Sequence, residues 1–322
     1  MIGTSQKDEW ESIKSFGNLE PRASFMYQVS STASIKGSYN RMNLYIHLIS
    51  NTTAATPIDI WQASTNNVKP QQGDQVALGF FKNLKENKYE TSAEVYYKWT
   101  KNQVDYIDGA DLFINKYLEG QLLSGIGRAY GLELYAKKNT GRPTGWVSYT
   151  LGKSELKVDG INFGADRFNA KGDWYATRFD QRHNLKITSF YDISKKITVS
   201  GIFIYVSSTP TTYPTDRIPQ QGYVVPYFGG SKRNNVRIPD YHRLDVSVTI
   251  NNIWRCKKER SGEDHLIVSI YNVYARENPF SVSFSQGKDR QLGDKPLTTS
   301  SSQTSIIGTL IASFSYNFKF QE

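Results

Sequence analysis

The chain has 322 residues, of which 38% are hydrophobic and 13% aromatic. No run approaches 18 consecutive apolar residues, which excludes a membrane helix and leaves sheets with two unlike faces as the way to use so many amphipathic rings. Lys and Arg outnumber Asp and Glu by 39 to 30, a balance suited to anionic surfaces or ligands; the basic residues are scattered, with no zinc-finger spacing, GXXG clamp or aromatic RNA-binding signature, which excludes nucleic acid as the partner.

The N-terminus, MIGTSQKDEWESIKS, contains acidic residues and no apolar core of the kind a secretory signal needs. Alternating runs then follow in chain order. The first spans about 21 to 30 and the second about 34 to 48, followed by a polar loop to about 74. QVALGFFK near 75 to 83 turns through LKENK into a run at about 89 to 107. A further pair covers about 128 to 138 and 144 to 155. Here Leu132, Leu134 and Ala136 oppose Glu133, Tyr135 and Lys137, and Val147, Tyr149 and Leu151 oppose Ser148, Thr150 and Gly152. Period-two alternation of this kind marks strands with one apolar face.

After a glycine-containing loop to about 179, runs at about 181 to 192 and 196 to 208 share a short turn. A long segment leads to HRLDVSVTI at about 241 to 251. Residues 264 to 284 read as one long or bulged strand that Asn278 and Pro279 could divide. In LIASFSYNFKF, 310 to 320, Leu310, Ala312, Phe314, Tyr316, Phe318 and Phe320 share one face. The total is about eleven strands, whose connectors alternate between short and long. Short turns on one side and long loops on the other are the asymmetry of an outer-membrane barrel. A soluble all-β sandwich with binding loops at one end satisfies the same pattern. An odd strand number does not close a bacterial barrel by itself, so eleven strands point to part of one.

The ordered series GDQVALGFFKN, YETSAEVYYKWTKNQVDYIDGA, LLSGIGRAYGLELYAKKNTG, GWVSYTLGKSE, RFDQRHNLKITSFYDI, GYVVPYFGG, NNVRIPDYHRLDVSVT and SIYNVYARENPF, with YNRMNLYIHLISNT before it, resembles the C-terminal barrel region of Bacteroidota TonB-dependent outer-membrane receptors. The resemblance implies an all-β fold, an antiparallel transmembrane β-barrel portion of about 11 of 22 strands. Residues 1–20 would be the end of an extracellular loop or strand connection, 21–320 the C-terminal barrel half, and 321–322 a terminal extension. It further implies residence in the cell outer membrane and uptake of a small nutrient ligand such as a siderophore, glycan or peptide. The implied partners are an N-terminal plug and barrel half, the TonB energy-coupling complex and, in some members, a surface lipoprotein lid. The alternatives are an inactive barrel fragment and a soluble all-β binding protein.

No enzyme is expected. Asp180, Arg182 and His183 lack the spacing of nucleophile, base and orienting acid, and read as mutually satisfying polar groups at a strand start. Arg243 and Asp245 fall on one face and could pair there, while His242 falls on the other. No His, Cys or carboxylate set has metal-ligand spacing, so neither metal nor cofactor is expected. The single cysteine, Cys256, reads as an ordinary turn thiol. GIGRAYG at 125 to 131 lacks a Walker lysine and reads as close backbone passage at a strand entrance. Candidate ligand contacts are the loop residues Trp61, Tyr106, Asp108, Trp174, Tyr175, Tyr213, Tyr223, Tyr227 and Arg233, whose rings could stack on a ligand while the charges select it. Candidate lumenal polar residues are Glu133, Lys137, Arg243, Asp245, Asn317 and Lys319.

Overall fold

The computed structural model describes residues 2–4, 12–50, 59–107, 110, 118–162, 171–220, 223–227, 232–253, 262–286 and 299–320. Its main sheet contains β1 (Arg22–Ser30), β2 (Ala33–Leu44), β3 (Gln71–Leu84), β4 (Tyr89–Tyr106), β5 (Leu122–Lys138), β6 (Pro143–Val158), β7 (His183–Asp192), β8 (Ile197–Val206), β9 (Tyr241–Asn251), β10 (Gly262–Tyr271) and β11 (Ile311–Phe320). These eleven strands pair antiparallel with their chain neighbours, so spatial order equals sequence order. Among the described residues, no helix is long and apolar enough to cross a membrane. Between β3 and β4 the chain turns tightly, with Lys85, Glu86 and Asn87 all in left-handed backbone.

The register brings the alternating patterns of separate strands onto common faces. Leu78 lies opposite Val95, Val95 opposite Leu132, Leu132 opposite Leu151. Farther along, Ile187 meets Phe203, Phe203 meets Leu244, and Val248 meets Val268, which meets Phe314. A one-residue slip at any step would turn that strand's apolar set to the other side, so the apolar pattern specifies the register. The resulting band is outward and uncovered, with Tyr27 66%, Leu78 51%, Val95 50% and Phe314 73% exposed. An apolar surface of this continuity in water would be an aggregation site; its stable environment is hydrocarbon.

The other face is mixed but richer in polar groups. Glu94 lies opposite Glu133, and Lys186 opposite Ser148. Ser200 and Ser247 hydroxyls are 2.6 Å apart, as are those of Ser269 and Ser313. Trp146 and Phe190 form an aromatic pair there near the short turns, with centroids 6.1 Å apart.

Three boundaries differ from the sequence expectation. Residues 264–284 do not form one strand: β10 stops at Tyr271, and Ser281–Gln286 pairs instead with Thr299–Thr304 in a separate hairpin. Asn272 and Ala275 adopt left-handed backbone at the break, and the Asn272 N–H donates to Asp245 Oδ1 at 2.9 Å, leaving the ladder. The run from 34 to 48 is likewise divided, because Ile46–Ser50 leaves the sheet to pair with Asp59–Ala63. GIGRAYG lies inside β5 rather than at its entrance. A Cβ on Gly125 would stand 2.3 Å from the Lys157 carbonyl oxygen, so the close approach itself is real.

Candidate functional site

β3 to β6 have 14, 18, 17 and 16 residues, whereas 9 to 11 tilted residues suffice to span hydrocarbon. Their surplus rises at the long-connector end, where loop segments fold against the polar face. The organising group is Asp105. Strict alternation from Trp99 would send Asp105 outward with Lys101, but a bulge at Asn102, whose φ is 56°, shifts the register between Lys101 and Gln103. One extra residue reverses the parity, so Asp105 joins Thr100 on the polar face.

Asp105 is then bonded from three directions. Its Oδ1 accepts from Arg233 Nη1 at 2.7 Å and from the Tyr106 N–H at 2.8 Å, while its Oδ2 accepts from Tyr175 Oη at 2.6 Å. Arg233 Nη2 donates to the Tyr106 carbonyl at 3.0 Å, and the Arg233 N–H donates to Asn162 Oδ1 at 2.5 Å. The ion pair is almost wholly enclosed, its side chains 7% and 12% exposed. Removing one partner from such a pair leaves a desolvated charge, at a cost of about 3–5 kcal/mol. Beneath it, Val158, Ile161 and Tyr175 form an apolar cluster with Leu123 and Leu156.

Asp180 is a second anchor and is fully buried. Its Oδ1 accepts from the Ser154 N–H at 2.6 Å, and its Oδ2 from Arg182 Nε at 3.1 Å and from Arg237 Nη2. Arg237 also donates to the Asp180 and Ser208 carbonyls. Of the polar triplet read at this strand start, Asp180 and Arg182 thus satisfy each other, and Asp180 joins β6 to the segments before β7 and β9, while His183 bonds Tyr149 instead. Between the two anchors opens a cleft of about 310 Å³ lined in part by Gln71, Gln103, Tyr175, Arg178, Phe179 and Asn234.

Of the candidate contacts, the structure brings Tyr175, Arg233 and the Tyr106 carbonyl together around Asp105. Trp61 is 67% exposed and lies opposite Leu48, a cleft residue, in their hairpin. Trp174 turns outward instead, with the Arg128 guanidinium 4.1 Å from its ring centre. Tyr213 packs edge-on against Phe284 at 4.8 Å, and Tyr227, 40% exposed, pairs with Asp216. Tyr223 pairs with Gln220 in the same hairpin. Asp108 lies outside the described residues. Sequence reading missed Asp105, Arg178 and Phe179. The one local signal for Asp105 is the Asn102–Gln103 pair, since Asn tolerates the left-handed conformation a bulge requires.

The polar-face candidates occupy regular strand positions. Glu133 is opposite Thr150, Lys137 opposite Trp146, Asn317 opposite His265 and Lys319 opposite Glu263. Arg243 Nη2 and Asp245 Oδ2 are 3.0 Å apart, and Arg243 Nη1 donates to the Tyr241 and Tyr271 hydroxyls. On the opposite face, His242 Nδ1 is 2.8 Å from Tyr274 Oη, and Tyr149 Oη is 2.8 Å from His183 Nδ1. Outside the spanning strands, Asp240 is held below the usual carboxylate range by the Tyr205 hydroxyl, at 2.7 Å, and by the Ser208 N–H. His47, buried in its hairpin beside Ser64, is pushed below the ordinary imidazole value by desolvation. Among the described residues, no three His, Cys, Asp or Glu side chains gather as a metal site.

Known structures agree with this architecture. The ferric-catecholate import receptor Fiu of E. coli K12 aligns over 92% of the chain and 34% of its own length, with 14% identity and a TM-score of 0.52. The receptor FpvA of P. aeruginosa, solved with heterologous pyoverdines, aligns over 97% and 34%, with 12% identity and a TM-score of 0.56. The FrpB iron transporter of Neisseria meningitidis aligns over 94% and 39%, with 12% identity and a TM-score of 0.52. The chain therefore spans little more than a third of these proteins, and at such identities the likeness is one of fold. No curated protein matches. The family described as TonB dependent receptor-like, beta-barrel matches residues 4–274, and the chain belongs to this family of outer-membrane receptors.

Proposed function

We propose that this chain is the C-terminal half of a TonB-dependent receptor barrel of the Bacteroidota type, covering residues 21–320, with 1–20 a preceding connection and 321–322 an extension. The odd strand number supports this reading. β1 and β11 run in the same direction, so an odd set of strands in the same alternation would complete an even, fully antiparallel barrel. In the whole receptor an N-terminal plug would occupy the barrel and the TonB complex would energise uptake, with a lipoprotein lid as a further partner.

The observation that carries the transport reading is the cleft beside Asp105. It opens on the polar face at the long-connector end, where a solute from outside would enter, and its size suits a small ligand or one face of a larger one. Tyr175 and Arg233 would act mainly by fixing the wall, with Phe179, Arg178 and Trp61 nearer the solute. Tyr213, Tyr223, Tyr227 and Asp108 would belong to the outer loops, and Trp174 to the outer wall. Glu133, Lys137, Arg243, Asp245, Asn317 and Lys319 would line the water-filled side. Among siderophore, glycan and peptide, the iron chelate is favoured because the similar structures are named for iron cargo.

The test is uptake of labelled ferric siderophores, glycans and peptides by a receptor-deficient cell expressing the full-length gene, with and without TonB. TonB-dependent accumulation of one class is expected. Uptake that persists without TonB, or no uptake of any class by a properly inserted receptor, would overturn the reading.

A further inference from the structure

The outward face of β2 to β6 carries a feature that uptake does not use. Followed upward from the apolar band, its side chains are Arg41 on β2, Asp74 on β3, Trp99 and Lys101 on β4, Arg128 on β5, and Lys153, Glu155 and Lys157 on β6, in adjoining register. Arg41 Nε bonds Asp74 Oδ1 at 2.7 Å. Glu155 is shared by Arg128 at 2.7 Å and Lys153 at 2.5 Å. Among the described residues of these strands, five cations therefore meet two carboxylates, and those carboxylates position three of the cations while the excess charge stays positive. Immediately below, Tyr97 stacks on Tyr130 at 5.9 Å and lies 6.1 Å from Trp99, the rings expected where hydrocarbon gives way to headgroups.

We propose that this patch seats the phosphate-bearing headgroup of an anionic outer-leaflet lipid, whose acyl chains lie against the apolar band beneath it. Three observations favour a lipid over a soluble partner. The cations continue the register of the hydrocarbon-facing residues, so a bound headgroup and its chains follow one surface without a break. Basic groups at this height interact directly with the lipid surface charge. The patch is also weighted to one flank: at the corresponding margin of β7 to β9 stand His183, Tyr205 and His242, with Asp240, Tyr274 and Arg276 as their neighbours, and Arg276 donates to the Asp240 carbonyl.

The test uses the full-length protein in neutral detergent, titrated with diphosphoryl lipid A and separately with lipid A stripped of both phosphates, with bound lipid read by native mass spectrometry. The phosphorylated form should bind about tenfold more tightly. K101Q/K157Q should remove most of that preference, whereas K195Q/K196Q in the opposite turn should leave it intact. Equal binding of the two lipids by the unaltered protein overturns the proposal, whatever happens to any variant. So does an unchanged preference in K101Q/K157Q that inserts and shows heat-modifiable migration; the single K101Q carries the same test if the double variant does not fold. Nutrient uptake resides on the other face, so its failure would not affect this outcome.

Discussion

β3 to β6 and β7 to β11 cross the same apolar band with very different lengths. The first group has 14 to 18 residues per strand, the second 10 or 11. The second group matches what hydrocarbon requires. The first continues beyond it by several residues per strand, and that surplus has two uses: its polar face bears Asp105 and the cleft, and its outer face bears the basic patch. Length beyond the membrane's need thus marks where this barrel wall meets its surroundings.

The largest expected effect breaks the long flank alone. Arg233→Ala would leave Asp105 buried without its cation, loosening the segments around Tyr175 and Asn234 by about 3–5 kcal/mol. Hydrogen exchange should rise there and stay unchanged across β8 to β11. Equal loosening of both flanks would show that the cluster is not the local anchor described.

The next prediction tests what the flanks share. Leu132→Arg in β5 and Val248→Arg in β9 both place a charge in the apolar band, and each should cost about 2–4 kcal/mol of barrel stability in urea titrations from lipid. Thr150→Arg, on the polar face of β6, should cost much less. Similar costs for all three would refute the assignment of faces.

A smaller effect belongs to the short flank. Asp240 has a folded pKa below its unfolded value, because the carboxylate accepts from Tyr205 and Ser208. Its contribution is fully present above the unfolded carboxylate pKa and is lost as pH falls through the folded one. The protection of the Ser208 amide, taken relative to its intrinsic exchange rate at each pH, should therefore fall on acidification, and D240N should remove that dependence. His47 supplies the matching test in the Ile46–Ser50 hairpin. Burial lowers its pKa, so the hairpin keeps its full stability above the unfolded imidazole pKa and loses it as pH falls toward the folded value. H47F should abolish that loss.

Much of the wall was legible from the chain. The alternation of Leu132, Leu134 and Ala136 against Glu133 and Lys137 names the residues that share a face, because successive side chains in a strand point to opposite sides. The alternation of short and long connectors was equally plain. The division of 264–284 was not, since Asn272 and Ala275 leave the ladder only once Asp245 is in place to accept the Asn272 N–H. Trp174 and Tyr175, adjacent in the chain, were given one role, yet one ring stacks on Arg128 outside and the other bonds Asp105 inside.

The sequence by itself determined strand number, the two faces and the side bearing the long loops, because all three follow from period-two alternation and local turn chemistry. The tertiary structure alone decided that Asp105, Tyr175 and Arg233 meet. Tyr175 is 70 residues from Asp105 and Arg233 is 128 away. A bulge at Asn102 had to reverse parity before the carboxylate could face them. Local pattern carries no record of the first event, which depends on where long loops come to rest, and marks the second only by an Asn at the single residue that its partner strand leaves unpaired.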